Sequence, residues 1–255
     1  MTNLLRMDLY RMRKAKGFRI CLLLVFLLAL SATPMEALLL YLARLISSEV
    51  GSMDDIKLSE ILGSPLSSLN AMLTLLSACF FYYADVENGY VKNIAGQMPK
   101  RGYTILSKFL ATAPHNLIFM AAAIVGSILG ALPFQRFAVD GAVLKGLGTL
   151  VLKLLLLQGI CAILLLFTAS LRSKSLGTVF AVLFGTGILF LAYMGIDAGL
   201  DQLLPKKSFS IADYMPDQLF RESRPDAVAA LLVAAVTICV FLWLAVRIFD
   251  KKDVK

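Results

Sequence analysis

The sequence predicts an all-α, polytopic membrane protein of six transmembrane helices, opened by an amphipathic helix at the membrane surface. Three observations predict it. First, 59% of the 255 residues are hydrophobic and 16% are charged, where a soluble domain averages about 25% charged. Mean hydropathy is +0.79. Second, the apolar residues fall in runs that reach the ~20 residues a helix needs to cross the hydrocarbon core. Third, the charges collect in the gaps between those runs, and basic and acidic residues alternate by gap.

The elements follow in chain order. Residues 1–16 carry Arg6, Arg11, Arg13, Lys14 and Lys16. On a helix Leu5, Leu9 and Met12 share one face, with Arg6, Arg13 and Lys14 elsewhere. That pattern describes a helix lying flat in the headgroup layer. This basic start and the apolar 21–30 have the outline of a signal peptide, but the basic region is long and the chain stays hydrophobic afterwards. Spans are expected at about 18–40, 67–83, 103–132, 142–171, 176–196 and 227–248. Pro34 falls near the end of the first and Pro114 within the third. The third and fourth are long enough to tilt. Between spans five and six, 211–220 has the pattern of a short amphipathic helix interrupted at Pro216. It is either a lid dipping into the membrane or a solvated loop.

Placing both termini inside gives the inner segments sixteen lysines and arginines against five acids. The outer segments then hold eight against twelve. This asymmetry orients the chain with cytoplasmic termini. The same distribution argues against a nucleic-acid-binding face. The four cysteines, Cys21, Cys79, Cys161 and Cys239, sit in different apolar runs without CxxC spacing. They read as small buried hydrophobes, with neither a disulfide framework nor a metal site. Small residues at Gly126–Gly130 and Gly185–Gly187 are expected to let helices of two copies approach closely.

Little in the chain carries chemistry of its own. No phosphate-binding glycine loop, metalloprotease helix or nucleophile elbow is present, so the chain is not expected to be an enzyme. Intramembrane polar residues are the remaining candidates. His115, after Pro114, reads as a polar kink packed between helices or a proton relay. Lys153 either snorkels toward the nearer interface or faces a polar cavity. Gln158 lies on the same span. Phe80, Phe81, Tyr82 and Tyr83 form an interfacial aromatic belt or part of a cargo path.

The longest inner break separates spans two and three. Val86, Tyr90, Ile94 and Met98 recur every fourth residue there, while Glu87, Lys92 and Asn93 lie off the stripe. Pro99 ends this short helix, and Lys100-Arg101-Gly102 turn the chain back. It is either an interfacial loop or a coupling helix that hands force to a soluble partner.

The run Asp85-Val86-Glu87-Asn88-Gly89-Tyr90-Val91-Lys92-Asn93-Ile94, followed by Arg101 and Thr104-Ile105-Leu106-Ser107-Lys108, resembles the loop after the second span of ABC-2 type transporter permeases. It is most similar to lantibiotic-immunity and peptide-toxin exporter membrane subunits of Gram-positive bacteria. The family's serine or glycine before the arginine is replaced here by Pro99-Lys100. The order of elements over nearly the whole chain is also similar. The resemblance implies a single permease domain over 1–255 in a bacterial plasma membrane. A separate ATPase subunit in two copies would bind ATP and Mg, so the chain itself would hold no cofactor. Its docking cleft would grip Val86, Glu87, Tyr90, Lys92, Asn93, Ile94, Met98 and Arg101, braced by Leu5, Leu9, Met12 and Arg13 of the interfacial helix. A second permease copy, as a homodimer, would complete the pathway. The implied cargo is an amphipathic peptide moved outward past Phe80–Tyr83, His115 and Lys153. Export of a lipid or hydrophobic drug, and a membrane scaffold or sensor that transports nothing, stand as alternatives.

Overall fold

The computed structural model describes residues 2–46, 55–89, 102–170, 172–203 and 210–251. It is an all-α bundle. Five of its helices are long and apolar enough to cross a membrane, and a bent pair makes up to six. The chain is therefore a multi-pass membrane protein. In order, α1 is Thr2–Lys14, α2 Lys16–Ile46, α3 Leu58–Gly63, α4 Ser68–Glu87, α5 Gly102–Ala131 and α6 Val143–Leu165. A π-helical turn, Leu166–Ser170, extends α6. Then come α7 Lys174–Thr186, α8 Leu189–Leu203, a 3-10 turn Ala212–Tyr214, α9 Pro216–Arg221 and α10 Ala227–Lys251. A two-residue parallel pair joins Ile56–Lys57 (β1) to Phe137–Ala138 (β2).

Local chemistry sets several boundaries. Ser67 Oγ accepts from the Asn70 amide at the start of α4, and Ser173 Oγ accepts from Leu176 at the start of α7. Asp226 accepts from the Val228 and Ala229 amides at the start of α10. α2 continues through Pro34, and α5 continues through Pro114.

α5 and α6 form the centre. α2 packs along α5, α10 along α6, and α7 along α4. The α2–α5 crossing is close because Gly126 and Gly130 face the backbone of Phe26 and Leu30, where a Cβ would collide. Gly185 lies against the backbone of Met72 on α4 in the same way. These small residues are consumed by contacts within the chain, which corrects their expected use between copies. Asp8 bonds Ser107 near the start of α5, and Asp250 bonds the Gly102 amide. The beginning and end of the described chain therefore share one end of the bundle, the terminal end below.

The fifth span departs from the expected straight helix over 176–196. α7 and α8 are bent by 79°. Gly187 is the cause. Its φ of 76° is left-handed, and its amide closes α7 by bonding the Leu183 carbonyl. Arg221 on α9 then fills the space beside it, donating from Nη2 to the carbonyls of Phe184 at 3.0 Å and Gly185 at 2.5 Å. Its Nη1 donates to Ser68 Oγ at 2.5 Å. Helix α9 thus ties the far ends of α4 and α7 together. Pro216 opens α9 rather than interrupting a helix, and Leu219 and Phe220 are buried beneath it.

Candidate functional site

At the terminal end, α1 is held by charge as well as by apolar packing. Leu4, Asp8 and Met12, one turn apart, are its buried residues. Leu5 and Leu9 are half-buried beside them, and Arg13 is exposed. The face directed at the bundle therefore carries a carboxylate that the hydrophobic stripe alone does not reveal. Ser107 Oγ donates to Asp8 Oδ2 at 2.5 Å. Arg11 Nη1 donates to Asp85 Oδ1 at 3.0 Å, and Lys108 Nζ lies 2.9 Å from Asp85 Oδ2. The Lys108 ammonium also stands 4.7 Å from the Phe81 ring centroid. Burial pushes the Asp8 carboxyl up, against the pull of Lys108 and the Ser107 hydrogen bond.

This cluster brackets the chain between α4 and α5. Asp85 and Glu87 sit where α4 ends, with Glu87 3.5 Å from Lys174 at the start of α7. Gly102 and Lys108 sit where α5 begins. Asp85 and Lys108, the outermost residues of the stretch that carries the sequence resemblance, meet in one ion pair. Val86 and Glu87 belong to α4. The expected coupling helix over 86–98 therefore does not begin at Val86: α4 is capped at Asn88 and Gly89 is left-handed, with φ 65°, while Tyr90, Lys92, Asn93, Ile94, Met98 and Arg101 lie outside the described residues.

A second polar group lies inside the bundle. His115 is fully buried. Its Nε2 is 3.1 Å from Ser77 Oγ on α4, and its Nδ1 is 3.1 Å from Asn116 Oδ1. Asn116 Nδ2 donates to Gln158 Oε1 on α6 at 3.0 Å. Gln158 Nε2 donates to the Phe109 carbonyl at 2.7 Å and to Thr112 Oγ1 at 3.0 Å. Pro114 has no amide to offer to the turn before it, and Gln158 supplies a donor to that turn from another helix. Phe119 stacks on the imidazole, with centroids 4.5 Å apart. His115 thus joins three spans as a packed polar node.

The four aromatics at 80–83 divide. Tyr82 is fully buried, Phe81 is buried and Phe80 is exposed. Phe80 and Tyr83 flank the Lys174 ammonium, with centroids 5.9 Å and 5.7 Å away. Phe80 and Phe81 line a crevice of about 330 Å³ between α1, α2 and α4. Arg11 and Asp85 also line it, as does Ser77, which bonds His115. Lys153 stands apart from this site. It is 2% exposed, with Nζ 5.7 Å from the centroid of the Phe220 ring on α9.

No protein-family model and no curated protein sequence matches the chain. Among the described residues no group of three or more His, Cys, Asp or Glu is placed to hold a metal. The residues sequence reasoning left unassigned are Asp8, Ser77 and Arg221. Asp8 carried a signal, its spacing of four from Leu4 and Met12. The roles of Ser77 and Arg221 depend on helices distant in sequence.

Proposed function

We propose that the chain is the membrane-spanning subunit of an ATP-driven exporter of the ABC-2 type, moving amphipathic or hydrophobic peptides outward across a bacterial plasma membrane. The observation that carries this reading is the ionic bracket around 90–101. Asp85 leaves α4 and Lys108 enters α5, and the two pair with each other and, through Arg11, with α1. Any displacement of the intervening segment is delivered to two spans and a surface helix at once. An ordinary surface loop has no need of such a connection.

In this reading the termini are cytoplasmic, and α1 lies along the inner face of the membrane. The segment that follows α4, 90–101, carries the coupling role, docked in the cleft of a separate ATPase subunit present in two copies with ATP and Mg. Glu87 and Arg101 make its polar contacts, and Tyr90 is its central anchor, since aromatic side chains dominate such interfaces. A second copy of the chain completes the pathway. The buried node at His115 keeps α4, α5 and α6 in register while the ends move.

The test is co-expression with an ATP-binding-cassette ATPase encoded beside the gene, followed by capture and peptide-stimulated hydrolysis. Tyr90→Ala is expected to reduce capture most, with Glu87→Ala and Arg101→Ala next. Asp55→Ala, far from the segment, is expected to leave it unchanged. Equal behaviour of all four with the unmodified chain removes the coupling role and favours a non-transporting scaffold.

A further inference from the structure

The elbow where α1 meets α2 carries an excess of positive charge. Between Asp8 and Glu36 the sequence has five cations, Arg11, Arg13, Lys14, Lys16 and Arg19, and no acid. Arg11 is drawn inward to Asp85, and the other four are exposed. Arg19 Nη2 donates to the Lys14 carbonyl at 2.8 Å, which closes the elbow. The Lys14 ammonium stands 5.9 Å from the centroid of the exposed Tyr10 ring. The acids described at the terminal end are Asp8, Asp85, Glu87 and Asp250. Asp8 points from the opposite face of α1 to Ser107, and Asp85 lies between Arg11 and Lys108. Glu87 is 3.5 Å from Lys174, and Asp250 accepts from the Gly102 amide. With all four ionised they are still outnumbered, because Arg6 and, on α10, Arg247 and Lys251 are exposed cations of the same end.

Position decides what answers this charge. α2 buries Phe18, Cys21, Val25 and Ala29. On its other side Ile20, Leu23, Leu24, Leu27 and Leu28 are exposed, a stripe that meets hydrocarbon in a membrane-spanning bundle. Lys16 and Arg19 continue that stripe toward the elbow, four residues before Ile20 and Leu23. One turn of helix, about 5.4 Å, therefore separates the first lipid-facing side chains from two cations. That is the depth of the lipid phosphates. The exposed side of α10 ends in the same order. Val236 and Val240 are followed by Trp243 and then Arg247, whose guanidinium stands 4.8 Å from the centroid of the Trp243 ring.

Packing decides how the elbow binds. Leu4 and Met12 of α1 are spent on the bundle, and Leu5 and Leu9 are half-buried beside them. The arc opposite carries Arg6, Tyr10, Arg13 and Lys14, all exposed. Attraction at the elbow is therefore electrostatic, with apolar contact supplied by α2. A zwitterionic headgroup brings an ammonium together with its phosphate, and cations without an acid among them repel it. A headgroup of net negative charge carries no such cost. A soluble polyanion meets the cations but leaves the stripe below them unused. A second copy on this face sets the same cations opposite one another at the same depth, and so itself needs anions between them.

We propose that the α1–α2 elbow is a binding site for an anionic phospholipid of the bilayer. The phosphate lies at Lys14, Lys16 and Arg19 with Tyr10 beside it, and the acyl chains run along the exposed stripe of α2. The site does not depend on the transport reading.

The experiment uses the full chain in an uncharged detergent with equal amounts of phosphatidylglycerol and phosphatidylcholine, and counts the lipids retained by native mass spectrometry. Phosphatidylglycerol is expected to be retained at least fivefold over phosphatidylcholine. The triple variant Lys14→Gln, Lys16→Gln, Arg19→Gln is expected to lower its retention at least tenfold. Lys16→Gln with Arg19→Gln gives a lesser reduction and serves if the triple variant does not fold. Lys14→Arg, Lys16→Arg and Arg19→Lys together keep the charge and are expected to keep the lipid. Arg136→Gln, Lys145→Gln and Arg224→Gln remove three exposed cations from the other end and are expected to leave retention unchanged. Equal retention of the two lipids, or an equal loss in both neutralised variants, overturns the site. Displacement of phosphatidylglycerol by millimolar glycerol phosphate overturns the lipid in favour of a soluble anion. Disulfide-linked dimers of Leu23→Cys that exclude phosphatidylglycerol overturn it in favour of a second copy.

Discussion

Asp85 holds two cations, and its side chain is 11% exposed beside a Lys108 that is 4% exposed. Removing one partner of such a pair strands the other charge away from water, at a cost of about 3–5 kcal/mol. Asp85→Asn is therefore expected to lower the thermal midpoint in detergent sharply. Asp85→Asn with Lys108→Met is expected to recover a large part of the loss, because the desolvated ammonium is gone. A double variant as unstable as the single one contradicts a buried pair. Asp8 behaves differently. Burial raises its carboxyl above 3.8, so the folded state binds this proton more tightly than the unfolded chain does. The contribution of Asp8 to stability is complete below pH 3.8 and is lost as pH rises through the raised value. Asp8→Asn keeps a side chain that can bond Ser107 and removes this dependence. Thermal midpoints measured from pH 3.8 to neutrality are expected to show a flatter profile in the variant, with Arg11, Lys108 and Asp85 still facing the site.

At the level of elements, the α7–α8 break rests on one backbone conformation and one side chain. Gly187→Ala places a Cβ in a left-handed residue, costing about 1–2 kcal/mol, and drives it into the Arg221 guanidinium. Arg221→Met removes donors from Ser68 and two carbonyls at the end of α7, costing about 1–3 kcal/mol for the acceptors left unpaired. The two changes act on the same corner, so their effects on the unfolding midpoint are expected to fall short of additive. Strict additivity means that Arg221 and the bend are independent. Periodicity showed α1 as amphipathic, and it is a helix whose exposed face is basic. What the apolar stripe did not show is that Asp8 points inward, because a stripe of leucines says nothing about a cation waiting on another helix.

For the whole molecule, the charge segregation makes a topological prediction. In a chain whose exposed Cys239 is replaced by serine, Asp55→Cys and Asp213→Cys are expected to react with an impermeant thiol reagent in intact cells. Asn93→Cys is expected to react only after permeabilisation. Labelling of Asn93→Cys from outside reverses the orientation. Assembly is a second expectation. α2 and α10 bury little of their apolar surface within the chain, while the close glycine contacts are used internally. A dimer is therefore expected to form through the broad faces of α2 or α10 rather than through Gly126–Gly130. Purification as a monomer that still supports transport removes the homodimer.

Composition and the spacing of charges determined the class of this protein, its apolar helices and their order, because hydrocarbon excludes charge and forces the backbone to satisfy itself segment by segment. Those are one-dimensional constraints, and the chain records them in one dimension. His115 and Gln158 were visible as polar residues in spans, and Pro114 as a break in one of them. Only packing made them one network, since their partners stand on helices tens of residues away. The pairing of Asp85 with Lys108 and the clamp of Arg221 on a bent span were likewise decided by tertiary structure. Each is a relation between surfaces that meet only when α4, α5, α6 and α7 have chosen their neighbours, and no periodicity within a single helix encodes that choice.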